Sequence, residues 1–465
     1  MGASKLLAGA MLALIAGLCG VAQDAGPPAG QSSSQASPDS SPTQSQSLSK
    51  NQTHRSVHHI QVPVEEDSQP EELRQAEAAI EKRNYAGAEP LLRKLVDREP
   101  ASYVAWFDLG FVENGLGKVE DSIQAYRKSV AAKPDVFESN LNLGVQLAKT
   151  GQPDAEEFLR AATRLQPTSH AAEGQYRAWI ALAQMIAKTK PDEAVAAYHH
   201  AASLQPKEVE PHLSAGLILE QENKFAEAEQ EYKQALALDS RSTDAVIGLA
   251  NIYMRGGKFP EAVEYLRKLL ADRADSAPAH IQLGRVLAAD GKPDAAIAEL
   301  ETGLRLAPGD DAAQRELAGL YISGGKYDLA EADYRGLLVA HPDDAELHEG
   351  LGKALMWQKK SSEAEREFLA AVKLKPGFGE AYYDLAFAAN DNTDYALVIR
   401  SLDLRAKLLP ETPMTYFLRA SAYDHLRDFK NAAANFHLFL SVAKGKYPDQ
   451  EWQATHRLIA IEPKR

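Results

Sequence analysis

Cysteine is almost missing from this chain. The single one, Cys19, lies in an apolar run at the N-terminus, so a mature chain has neither an internal disulfide nor a thiolate metal site. Positive charge is also in deficit: Lys and Arg number 51 against 65 Asp and Glu, a formal net charge of −14. The field around such a molecule repels phosphate, which excludes nucleic acid and anionic membrane surfaces as natural partners. After residue 22 no segment is apolar enough to span a bilayer. Stability therefore has to come from side-chain packing.

Residues 1–22 read as a secretory signal. Lys5 precedes an apolar core from Leu6 to Val21, and Gly20, Val21 and Ala22 form a small-x-small cleavage site. Cleavage there starts the mature chain near Gln23 and implies export to a periplasm or the extracellular space. Two anchored forms compete with release: an uncleaved span, or lipidation of Cys19, although Leu18 stands where a lipoprotein carries a small residue. Residues 23–69 are rich in Ser, Gln and Pro and carry few large apolar side chains before Val57, which predicts a disordered tether. His54, His58 and His59 within it, and His199 with His200 further on, lack carboxylate or cysteine company, so they are read as solvated residues and not as metal ligands.

Beyond Pro70 one pattern governs the chain. A small residue, usually after Leu, recurs at Ala76, Gly110, Gly144, Ala183, Gly216, Ala250, Gly284, Ala318, Gly352, Ala386 and Ala420, at intervals of 34 apart from one of 39 and one of 33. A fixed period of this size marks stacked structural repeats. A second small residue follows about twelve positions later, as at Ser122, Ala228 and Ala364, and four residues on a large one fills the space beside it, as at Tyr126, Tyr232 and Phe368. Most units end in proline, for example Pro134, Pro308 and Pro376, which stops a helix. Between the two marks Gly-Lys recurs at Gly117-Lys118, Gly257-Lys258, Gly291-Lys292 and Gly325-Lys326, where glycine can close the first helix of each unit in the left-handed conformation. Each unit is thus a helical hairpin.

Trp106, Leu109-Gly110, Tyr126 and Pro134 in one unit, and Leu317-Ala318, Tyr321, Ala330, Tyr334 and Pro342 in another, resemble the tetratricopeptide repeat family. The resemblance spans residues 70–448. Local departures are Gln75 in the first unit, Val398 and Arg405 in the tenth, and the long interval before Ala183. It implies an all-α, right-handed superhelical solenoid of about eleven hairpins, and the residues 449–465 beyond it, with Trp452, Leu458, Ile459 and Ile461 among polar side chains, read as a capping helix and tail. It further implies that the first helix of each hairpin lines a concave groove, with ligand contacts three before and one after the small mark. Those positions supply a candidate protein-binding groove of Phe107, Phe111, Asn251, Arg285, Arg315, Lys353, Tyr383, Phe387 and Phe417. Aromatics there would hold apolar side chains of a peptide, and the polar members its backbone or carboxylates. The lysine and asparagine clamp that some relatives use for a C-terminal carboxylate is not reproduced, because Ile247 and Met254 flank Asn251.

No constellation for catalysis, cofactor or metal emerges. The Gly-Lys pairs lack the full phosphate-loop pattern and sit in repeat-locked turns, His348-Glu349 lacks the second histidine of a zinc-protease helix, and no nucleophile elbow is present. A hydrolase or transferase would need a site built from repeat surface alone. The sequence therefore points to an exported scaffold that binds protein or peptide ligands at a bacterial cell envelope. It reaches the envelope through a partner or a retained N-terminal segment. A role in assembly or secretion of an envelope polymer such as exopolysaccharide, cellulose or pili is the alternative within that class.

Overall fold

The computed structural model describes residues 70–462. Among the described residues there is no strand, and 23 helices follow one another. The first three hairpins are α1 (Glu71–Glu81) with α2 (Tyr85–Arg98), α3 (Tyr103–Gly115) with α4 (Val119–Ala132), and α5 (Phe137–Lys149) with α6 (Ala155–Arg164). Next come α7 (Ala171–Ile186) with α8 (Pro191–Leu204), α9 (Glu210–Gln221) with α10 (Phe225–Leu238), and α11 (Thr243–Arg255) with α12 (Phe259–Asp272). The seventh to ninth are α13 (Ala277–Ala289) with α14 (Pro293–Leu306), α15 (Asp311–Ser323) with α16 (Tyr327–Ala340), and α17 (Ala345–Trp357) with α18 (Ser361–Leu374). The series ends with α19 (Gly379–Asp391) and α20 (Tyr395–Ala406), α21 (Pro413–His425) and α22 (Phe429–Ala443), and the single helix α23 (Pro448–Ile461). The signal segment and the tether expected over residues 1–69 lie outside the described residues.

The two small-residue marks are where paired helices meet. A methyl group on Gly352 would stand 2.5 Å from the Phe368 ring, and one on Gly110 2.8 Å from the Tyr126 ring, so neither position has room for a side chain. At the second mark Ser122 is fully buried and its hydroxyl donates to the Gly110 carbonyl at 2.7 Å. Apolar residues of adjacent hairpins merge into shared clusters, the longest running from Ile281 to Ala422. A single hairpin cannot bury both its faces, and its neighbour completes the core. Every substantial helix–helix contact joins helices of the same or adjacent hairpins. α23 closes the series by laying Ala454 and Leu458 on Phe436 and Phe439 of α22.

The turn between paired helices is the same in ten of the eleven hairpins, with one residue at positive φ. Glycine fills that place at Gly117, Gly151, Gly257, Gly291 and Gly325, whereas Arg83, Asn223, Lys359, Thr393 and Arg427 fill it elsewhere. Gly-Lys is thus a turn element, as the spacing predicts. The lysine that follows has a further task. Lys118 reaches back to Glu89 at 2.7 Å and Lys360 to Glu331 at 2.8 Å, each carboxylate belonging to the preceding hairpin. Thr393 is β-branched and held at φ 64, a conformation that costs a non-glycine residue about 1 kcal/mol or more. Thr393→Gly is therefore expected to raise stability by roughly 1 kcal/mol in chemical unfolding, and an unchanged midpoint would disprove the turn argument.

The 39-residue interval is absorbed at one place. α6 stops at Arg164, a short connection follows, and α7 starts at Ala171 after His170 in the left-handed conformation, giving a first helix of 16 residues.

Candidate partner-binding wall

First helices of successive hairpins also touch one another, as α9 does α11, α11 does α13 and α17 does α19, while no comparable contact joins successive second helices. The first helices are therefore the crowded side of the stack. The nine predicted residues all lie on them, and the structure sorts these residues into three groups.

Phe107 is a correction. It is 0% exposed, tilted against the Tyr126 ring at 5.6 Å, and part of the core shared by the second and third hairpins. A side chain buried on all sides cannot meet a ligand, so it drops out of the candidate surface. Counting residues locates the position on the helix but not the depth to which the next hairpin covers it.

The four polar candidates are engaged across hairpin boundaries. Arg285 Nε donates to Glu316 at 2.8 Å, and Arg315 Nη2 donates to Asp344 at 2.6 Å. The Asn251 side-chain carbonyl accepts from Gln282 Nε2 at 2.7 Å. Lys353 pairs with Glu349 and lies 3.7 Å from Asp384 on the next first helix. Each surface pair is worth roughly 0–1 kcal/mol, so the pairs tie adjacent hairpins together only weakly. A ligand that uses these groups has to compete with the stack.

The third group is aromatic. Phe111 packs edge-on against Tyr85 at 5.9 Å. Tyr383 and Phe387 are half-buried neighbours on α19, 6.4 Å apart, and Phe417 on α21 packs on Phe439 at 5.1 Å with part of its ring exposed. These rings remain partly open on the wall.

Burial also shapes the wall's electrostatics. It pushes the Asp384 carboxyl up to about 7 against the opposing Lys353 ammonium, and the Glu113 carboxyl on α3 up to about 7 against Arg93, whose Nη2 lies 2.7 Å away. For Lys353 burial works downward, yet the charges of Asp384 and Glu349 outweigh it and hold the ammonium above its ordinary value. Among the described residues no three His, Cys, Asp or Glu side chains converge on a metal-sized site. His199 and His212 both bond Glu231, at 2.9 and 2.8 Å, and His200 stacks on Trp179 at 4.6 Å.

Two features escaped sequence reasoning. Gly248 and Gly350 stand two places before the small mark because Tyr232 and Tyr334 of the preceding hairpins press against them; a methyl group would lie 2.3 and 2.5 Å from those rings. A glycine sixteen residues after a tyrosine was the available signal. The second is a recurring staple at the start of first helices. Trp106, Asn140, His280 and His348 each face the backbone carbonyl six residues earlier, at 2.9, 2.8, 3.1 and 3.0 Å.

Fold and wall together define a helical-repeat scaffold. One tetratricopeptide repeat model matches residues 73–137, 115–170, 186–245, 281–345 and 315–377, and a second matches 219–285, so more than half of the chain is matched and it belongs to the tetratricopeptide repeat family. That fold is typically a non-catalytic scaffold for protein–protein interaction. The matches leave out residues 171–185, at the end of the long interval, and stop before the tenth hairpin, where the sequence departs from the pattern although the hairpins continue. No curated protein matches the chain. Among solved structures, Pseudomonas aeruginosa pilF is 22% identical, with 46% of this chain and 96% of that one covered and a TM-score of 0.39. YrrB, described as a TPR protein with an unusual peptide-binding site, is 21% identical over 41% and 97%, with a TM-score of 0.36. MamA from Desulfovibrio magneticus RS-1 is 21% identical over 35% and 92%, with a TM-score of 0.34.

Proposed function

We propose that this chain is an exported scaffold that holds a protein or peptide partner along its first-helix wall at a bacterial cell envelope. The observation that carries the reading is the aromatic end of the wall, where Tyr383, Phe387 and Phe417 are placed on successive first helices and left partly exposed. Rings held rigidly by a helical frame give a ligand apolar contact at little cost in ordering. Export is supported by the signal-like residues 1–22, and a core that needs no disulfide is compatible with any redox compartment.

Crosslinking in intact cells with the full chain tests the reading. Tyr383→Glu combined with Phe387→Glu is expected to reduce capture of the partner about tenfold or more, since a central aromatic anchor contributes roughly 2 kcal/mol. An unchanged set of captured proteins, from a variant that still unfolds at the normal temperature, would show that the partner binds elsewhere.

A further inference from the structure

The joint between the tenth and eleventh hairpins is built unlike the two before it. Arg405 on α20 stands where other second helices carry Leu95, Leu269 or Leu337, and Arg419 on α21 where first helices carry Leu109, Leu249 or Leu385. They are 5% and 7% exposed, and the buried Ser401 and Thr415 stand one turn before them. Apolar contact across the joint comes from Leu418 and Ala422, which join the core of the preceding hairpins, and at its turn edge His425 stacks on Tyr395 with centroids 4.3 Å apart. First helices α15 and α17, and α17 and α19, touch across the two preceding joints, whereas α19 and α21 make no contact of that extent.

The connection edge holds the charges, and their donors are incompletely met. Arg405 Nη1 donates to the Pro410 carbonyl at 2.8 Å, and Arg419 Nη1 pairs with Glu411 at 2.7 Å. Asp403 lies 3.3 Å from Arg419 Nε but out of hydrogen-bond alignment, and Arg405 Nε and Arg419 Nη2 are likewise buried without a hydrogen-bond partner.

Opening the joint returns those donors to water, which offsets part of the apolar surface it exposes. A joint lined by leucine has no such return. The eleventh hairpin also carries a core of its own, in which Phe436 and Phe439 of α22 pack with Ala420 of α21 and with Ala454 and Leu458 of α23. It can therefore part from the tenth hairpin without unravelling.

We propose that this joint is a hinge, at which α21, α22 and α23 swing as one unit on the Tyr395–His425 edge. Tyr383 and Phe387 stand on α19 and Phe417 on α21, one group on each side. Opening changes the spacing of these rings, so the aromatic end of the wall is adjustable. The hinge rests on packing; only this consequence for the wall rests on the partner-binding reading above. The opposing explanation is that the arginines clamp the joint through Pro410 and Glu411, and it predicts the opposite sign for their replacement.

Thiol labelling of the full chain tests the hinge, with Cys19→Ser as background so that each introduced cysteine is the only one. Ala354→Cys, Ala388→Cys and Ala422→Cys place it at one register on α17, α19 and α21, fully buried in the shared core, where Val112 and Val286 show that a larger side chain fits. Ala432→Cys places it inside the eleventh hairpin's own core. Ala422→Cys is expected to react about tenfold or more faster than the other three. Adding Arg405→Leu or Arg405→Met is expected to slow it about fivefold or more, whereas Arg405→Lys, which keeps a charge there, is not. Equal rates at Ala354→Cys, Ala388→Cys and Ala422→Cys, or apolar variants that react as fast as the parent or faster, overturn the hinge. Ala432→Cys reacting as fast as Ala422→Cys also overturns it, because the hairpin then unravels instead of swinging. No partner enters the measurement, so the hinge and the wall stand or fall separately.

Discussion

Phe107→Ala is expected to cost the array about 3–5 kcal/mol of stability while leaving partner capture intact. The ring is fully buried against Tyr126, in a cluster that also holds Ile123, Leu143 and Leu147. Removing it leaves a cavity at a hairpin boundary that neighbouring side chains can close only in part. The matching change at Phe417, whose ring is partly exposed, should cost less than half as much, because part of that surface already faces water. Urea unfolding followed by helix content reads both. An array need not melt as one unit, so loss of helix in the second and third hairpins ahead of the rest is the expected form. A cost below about 1 kcal/mol would mean that the second and third hairpins do not share the interior seen here.

The second large effect is a dependence on pH that runs against the usual direction for carboxylates. Asp384 and Glu113 are held up to about 7 by burial, so between about 4 and 7 the folded chain keeps protons that the unfolded chain has released. Raising pH through that window therefore favours unfolding, by up to about 1.4 kcal/mol per pH unit for each proton concerned. Lys353 and Arg93 limit the loss because each offers an opposite charge once its carboxyl ionises. Asp384→Asn removes one titrating group, and the clean readout is the stability difference between parent and variant. That difference should shift in favour of the variant from pH 4 to 7. Parallel stability curves would mean that Asp384 ionises as an ordinary exposed carboxyl.

Fold class was legible from spacing alone, because a 34-residue period with glycine opposite a ring leaves few other ways to bury both faces of a hairpin. Gly352 and Phe368 show why: the pair is sixteen residues apart in sequence and in van der Waals contact in space. The wall was legible only in outline. Position counting put Arg285, Arg315 and Lys353 on first helices, yet it could not show that Glu316, Asp344 and Asp384 of the following hairpins engage them. Those contacts depend on the angle between hairpins, which no periodicity encodes. Phe107 failed for the same reason. Arg405 was visible only as a departure from the repeat, and its bond to the Pro410 carbonyl required the path of the connection that follows α20.

Contacts confined to adjacent hairpins make the described array a series of coupled joints. Strain placed on one joint passes first to the next, because among the described residues every substantial helix–helix contact lies within a hairpin or between adjacent ones. A partner lying across several first helices would thus set the pitch of the segment it covers, and the free remainder would keep its own.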